Sequence, residues 1–100
     1  MEGWRALEPS DRLRLVRSAT RRLGSDLLVS AGGATRPVER LTGSGPELWS
    51  AFAAGLSVGE AAARLAHRTG AAVATVEPQV LEFAEALVRA RLAEPVGRVT

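Results

Sequence analysis

Residues able to do covalent or acid–base chemistry are few in this chain. There is one histidine, His67, and there is neither cysteine nor tyrosine. No acidic cluster accompanies His67, so it reads as a solvated helix residue rather than a metal ligand or general base. Gly32-Gly33 supplies the positive φ angles of a tight reversal between strands. It does not open a helix, which removes the reading of a phosphate-cradling loop. No nucleophile–base pair is visible, so neither catalysis nor a bound metal or cofactor is expected. What remains is charge. All 13 basic residues are arginine and the net charge is only +2. Residues 1–40 carry eight arginines against five acids, whereas residues 41–100 carry five against six. Arg12, Arg14, Arg17, Arg21 and Arg22 read most simply as a wet strand face and loop. Their alternative use is to attract an acidic partner, which raises association rate and salt dependence more than affinity.

The elements that hold these residues can be read from periodicity and punctuation. One hundred residues with 46% hydrophobic content make one domain with a core of its own. No apolar run follows a basic start as in a secretion signal, and none approaches the roughly 20 residues of a membrane span. A cytoplasmic protein is the expectation. Residues 1–11 read as an N-terminal tail, 12–92 as the folded domain and 93–100 as a C-terminal tail. Arg12-Leu13-Arg14-Leu15 alternates as a strand with one wet face does. Asp26-Leu27-Leu28-Val29-Ser30 is a second strand, and residues 35–41 return as a third. Pro37 cannot donate to a ladder, which places that third strand at a sheet edge.

After Leu41 the period turns helical. Ser44-Gly45-Pro46-Glu47 and Ser57-Val58-Gly59-Glu60 both have the spacing of a capping box, in which a serine oxygen and a glutamate satisfy each other's backbone N–H groups. Gly55 and Gly70 stand where those two helices should stop. A third helix is expected from an N-cap at Thr75, with Pro78 in its first turn, to about Ala90. Three antiparallel strands followed by three helices predict an α+β fold of winged-helix type. At roughly 100° per residue, the third helix carries an apolar arc of about 160° from Phe83 to Leu81. A surface helix needs only about 100° for its own core. The surplus shoulder of Leu81, Ala84 and Val88 therefore needs a second partner. Either the sheet or a tail of the same chain covers it, or it is an open groove wall. In the second case Ala84 leaves room for an inserted side chain, and Leu81→Glu or Val88→Glu should weaken binding. Trp49 and Phe83 read as core.

The run Leu41-Thr42-Gly43-Ser44-Gly45-Pro46-Glu47-Leu48-Trp49, continued by Gly55-Leu56-Ser57-Val58-Gly59-Glu60, resembles the PqqD-like family, also called RiPP recognition elements. The likeness goes on through Leu65, Gly70, Val80, Phe83, Leu87 and Leu92. It implies three strands packed on three helices, and no catalysis. It also implies a role as adaptor. The leader of a ribosomally made precursor peptide adds as a strand to the third strand, beside the third helix, and is presented to a modifying enzyme such as a leader peptidase, a cyclase or a radical enzyme. On this chain the implied contacts are Arg36, Val38, Glu39, Arg40 and Leu41 on the strand, with Gln79, Leu81, Ala84 and Val88 on the helix. Three positions depart from the family pattern: Pro37 removes one donor, Gln79 stands at a usually acidic position, and Arg91 replaces a helix-ending glycine.

Two rival readings remain. Winged helices commonly read DNA, but a recognition helix needs Arg, Lys, Asn or Gln on its outer face. The third helix instead shows Glu77, Glu82 and Glu85, which phosphates would repel. The other rival is a homodimer whose interface consumes the apolar shoulder.

Overall fold

Asp26–Ser30 is the strand around which the sheet is built, because its alternation is the clearest in the chain. In the computed structural model, which describes residues 6–32 and 37–97, it is β3, with Leu27 and Val29 buried and Leu28 and Ser30 half-buried on the other face. β1 (Leu13–Leu15) and β2 (Ala19–Leu23) precede it; β4 (Glu39–Leu41), α1 (Gly45–Ala53), α2 (Val58–Thr69), α3 (Val73–Arg89) and β5 (Ala93–Pro95) follow. β2, β3 and β4 form a three-stranded antiparallel sheet in that order, with Arg22 opposite Leu27 and Leu27 opposite Leu41. A two-residue loop joins β2 to β3, and Gly24 takes the left-handed φ of +64° that such a turn requires. With its three helices this is an α+β fold.

Several strand assignments differ from the sequence reading, β5 among them, which falls in the expected C-terminal tail. The alternating segment at Leu13 is a strand, but it pairs with β5 as a separate two-stranded ribbon, Leu13 opposite Pro95 and Leu15 opposite Ala93. Its place in the sheet belongs to β2, Ala-Thr-Arg-Arg-Leu, all of it exposed. Burial explains the exchange: Leu13, at 4% exposure, is anchored in the core, and the ribbon lies between α1 and α3. The third strand is shorter than expected. It begins at Glu39, after Pro37, consistent with a residue that has no N–H to give to a ladder.

The helices show which start signals operate. At α2, Ser57 Oγ accepts from Glu60 N–H (3.1 Å) while Glu60 Oε1 accepts from Ser57 N–H (2.8 Å), a complete capping box. At α1, Ser44 is helical at φ −81°, and its side chain makes no cap hydrogen bond. Glu47 turns instead to Arg68 of α2, at 2.5 Å. α3 starts at Val73, before the expected Thr75, so Pro78 lies inside the helix. The carbonyl that Pro78 leaves unpaired belongs to Ala74, an exposed residue where water can serve it. At the other end Arg91 adopts a left-handed φ of +62°. Arg91 N–H donates to Val88 O and Leu92 N–H to Leu87 O, so the arginine fills the usual glycine position of a Schellman ending.

The described ends of the chain are part of this fold. Leu7 is 5% exposed. Pro9 O accepts from Gly59 N–H and Asp11 O from Val58 N–H, each at 2.8 Å, so the N-terminal segment satisfies two donors that the start of α2 cannot pair internally. At the opposite end Leu92 and Ala93 are buried. The core between sheet and helices is centred on Phe52, Val29, Val58 and Val80.

Candidate functional site

β4 is an edge strand. It pairs with β3 on one side, and among the described residues no strand pairs with the other. The chain leaves it through Thr42-Gly43-Ser44, where Gly43 sits at φ +58° and Gly45 N–H donates to Thr42 O at 2.8 Å. That turn carries α1 away at a point where α3 also approaches. Gly45 is what allows the approach: a Cβ there would lie 3.1 Å from Leu41 Cβ and 3.3 Å from Phe83 Cε1. Beside this junction is a cleft of about 270 Å³. Leu48, Leu65, Val80 and Phe83 contribute its apolar lining; Thr42, Ser44 and Gln79 contribute polar groups. A free strand edge and an adjoining cleft of mixed lining can together accept an extended chain and one of its side chains.

The expected contact residues divide into two groups. Val38 is 59% exposed just ahead of β4. Glu39 is half-buried opposite Val29, and Leu41 is buried in the core beside Gly45. Arg40 is exposed, but its charge is engaged: Nε donates to Asp26 Oδ2 at 2.8 Å, and a terminal nitrogen lies 2.7 Å from the same oxygen. A surface pair of this kind contributes at most about 1 kcal/mol, yet it leaves β4 without an uncompensated positive charge. Gln79, exposed, lines the cleft. Arg36 lies outside the described residues.

The second group is elsewhere. Ala84 is fully buried at 0% exposure and presents no surface. Leu81 and Val88 are half-buried and packed against the core. Val88 lines a different hollow, of about 340 Å³, with Val16, Ala31 and the β5 residues. Leu7 N–H donates to Glu85 Oε2 at 3.0 Å, one helical turn from Leu81. The chain's own N-terminal segment and the β1–β5 ribbon thus attend this flank of α3, while the Phe83 side faces the start of α1.

Phe83, Leu48, Leu65 and the 42–45 turn were not singled out as contacts from sequence. The available signal was Gly45 before Pro46: a residue without a side chain at a helix start, next to a strand end, marks a close approach. Trp49 is core, at 8% exposure. His67 is exposed, and no group of three or more potential metal ligands occurs among the described residues. No helix among them is long and apolar enough to cross a membrane.

One carboxyl has a shifted affinity for its proton. Glu60 is held below the ordinary 4.5, first by the Ser57 backbone N–H and then by the Arg12 guanidinium, against an opposing effect of desolvation. Arg12 also donates to Gly55 O. This group braces the start of α2 and is not part of the cleft.

A family model described as coenzyme PQQ synthesis protein D (PqqD) matches residues 36–93, more than half of the chain, spanning β4, the three helices and the first residue of β5. No curated protein and no solved structure gives a match.

Proposed function

This chain belongs to the PqqD family, whose members are accessory proteins working with precursor peptides and their modifying enzymes, and on that premise we propose that it holds the leader segment of a ribosomally made precursor and presents it for modification. The leader adds as a strand to the outer edge of β4, with main-chain hydrogen bonds supplying affinity and the adjoining cleft supplying selectivity. Val38, Glu39, Arg40 and Leu41 form the receiving strand with Arg36 upstream, and Gln79 and Phe83 flank the inserted side chain. The sheet and three helices are the arrangement that the resemblance implies, and we read it as a winged helix. The modifying enzyme is a leader peptidase, a cyclase or a radical enzyme, and the adaptor itself does no chemistry.

The observation that carries this reading is the coincidence of an unpaired edge on β4 with a cleft of mixed polar and apolar lining at its end. The acidic surface of α3 weighs against the rival reading as a DNA-binding protein. Glu82 is exposed, and Glu77 and Glu85 are half-buried on the helix that would enter the groove. The test is fluorescence polarisation with the labelled leader of a precursor encoded beside this chain. Val38→Glu and Phe83→Ala should each weaken binding about tenfold, equivalent to about 1.4 kcal/mol, with the fold checked by circular dichroism. Unchanged affinity in both folded variants would falsify the site.

A further inference from the structure

The sheet has two outer strands, and the proposed function uses only β4. β2, at the opposite edge, is built differently. All five of its residues are exposed, Leu23 at 46%. The register puts Thr20 and Arg22 on the face of Val29 and Leu27, and puts Ala19, Arg21 and Leu23 on the other. β2 therefore overhangs the core, showing both faces and an edge that, among the described residues, no further strand pairs. Residues 16–23 include three arginines and no acid. Arg17, Arg21 and Arg22 are exposed and form no ion pair among the described residues, whereas Arg40 across the sheet is matched by Asp26. Where β2 begins there is a hollow of about 680 Å³ lined by Arg17, Ser18, Ser30 and Gly32, among others.

Charges on an edge strand also guard against unwanted pairing, and here they decide which occupant fits. Two antiparallel copies of β2 joined edge to edge would bring arginines against arginines, which is destabilising. That argues against a second copy of this chain. For single-stranded nucleic acid the strand has no aromatic side chain on which a base could stack. An acidic polypeptide fits both features. The guanidinium fork matches a carboxylate in two hydrogen bonds, and the open edge offers main-chain groups to an extended segment.

We propose that the β2 edge is a docking site for an acidic, extended segment of a partner protein, separate from the β4 site and not dependent on what β4 binds. The test uses the full chain and three fluorescent probes: a peptide alternating Glu and Val, its Lys and Val counterpart, and a random DNA duplex. The Glu/Val peptide should bind, and binding should weaken as salt is raised, because exposed charges are screened. In the Arg21→Glu/Arg22→Glu variant its affinity should fall by about tenfold or more, from one lost charge-assisted contact and the added repulsion, since an alternating strand sets its glutamates on the face of either Arg21 or Arg22. Amide shifts on titration should fall on residues 17–30 and spare 38–45. The Arg21→Gln/Arg22→Gln variant, which adds no repulsion, should show an intermediate loss with an unchanged circular dichroism spectrum. Equal binding of the Lys/Val peptide, preference for the duplex, a dimer abolished by the substitutions, or no binding of the Glu/Val peptide would each overturn the proposal. A leader titration shifting residues 38–45 would be unaffected by any of these outcomes, so the two sites stand or fall separately.

Discussion

Leu7 is the residue that best separates an open flank of α3 from one the chain covers itself. It is 5% exposed, and its N–H donates to Glu85 Oε2. Replacing a buried leucine by alanine costs about 2–5 kcal/mol, depending on how far the site can close over the space left behind. Leu7 lies on a segment near the chain end that can partly collapse, so Leu7→Ala should cost about 2–3 kcal/mol. At about 4–8 °C per kcal/mol for a domain of this size, Tm should fall by about 10–20 °C. Urea unfolding followed by far-ultraviolet circular dichroism should show the midpoint lowered by about 1 M or more, with an unchanged slope. Leu23→Ala, at an exposed edge position, is the control and should stay within about 0.5 kcal/mol. A Leu7→Ala loss as small as that of the control would mean that Leu7 does not seat on the core in solution, and the argument for a self-covered flank would fail. With Leu7 seated, Leu81→Glu and Val88→Glu act first on stability, and leader affinity measured below the unfolding range should be preserved.

Arg91→Gly should raise stability by about 1 kcal/mol, since a left-handed φ costs an L-residue about 1–2 kcal/mol that glycine does not incur; a thermal melt reads it. Glu60 has a lowered folded-state pKa, so its contribution is present above its ordinary value of 4.5 and is lost as pH falls through the folded value. Glu60→Gln should therefore flatten the dependence of the urea midpoint on pH below 4.5, and an unchanged acid limb would show that the Ser57–Glu60–Arg12 cluster does not form in solution.

How legible the fold was depends on where each element finds its partners. α2 was fully readable because its start and stop signals are local: Ser57 and Glu60 pair across one turn, and Gly70 closes the end at φ +76°. β3 was readable because Leu27 and Val29 face one core. β2 was missed, since Ala-Thr-Arg-Arg-Leu buries nothing and therefore has no alternation to detect. β1 was recognised as a strand but set in the wrong sheet, because its partner lies about 80 residues away and adjacency in sequence favours the next strand. The Ser44 box failed for an energetic reason. Pro46 and Gly45 already begin the helix, and Glu47 finds Arg68 instead of the Ser44 N–H. At the candidate site, the width of the apolar arc on α3 was legible, but which side of the arc faced the core was not. That depends on packing partners remote in sequence, Leu7 among them, which the sequence pattern marked as tail.

The shortness of β4 has a consequence for how a leader must bind. Three residues, Glu39–Leu41, offer an added strand only a few main-chain hydrogen bonds, each worth a net of about 0.5–1.5 kcal/mol. One aliphatic side chain buried in the cleft adds about 1.5–3 kcal/mol. Association itself costs at least about 4 kcal/mol, whereas micromolar affinity needs about 8 kcal/mol net. These contacts alone fall short of micromolar affinity, so a leader held that tightly must both lengthen the edge and bury further side chains. Growth beyond Leu41 is blocked by the Gly43 turn, which leaves only the direction of Val38 and Pro37. Pro37 can accept through its carbonyl but cannot donate, so the nearest N–H that lengthening can engage is that of Val38. Hydrogen exchange with and without leader should accordingly show new protection at the Val38 amide, in addition to any at residues 39–41. Tight binding with Val38 left as exchangeable as in the free protein would show that main-chain pairing along β4 is not the source of affinity.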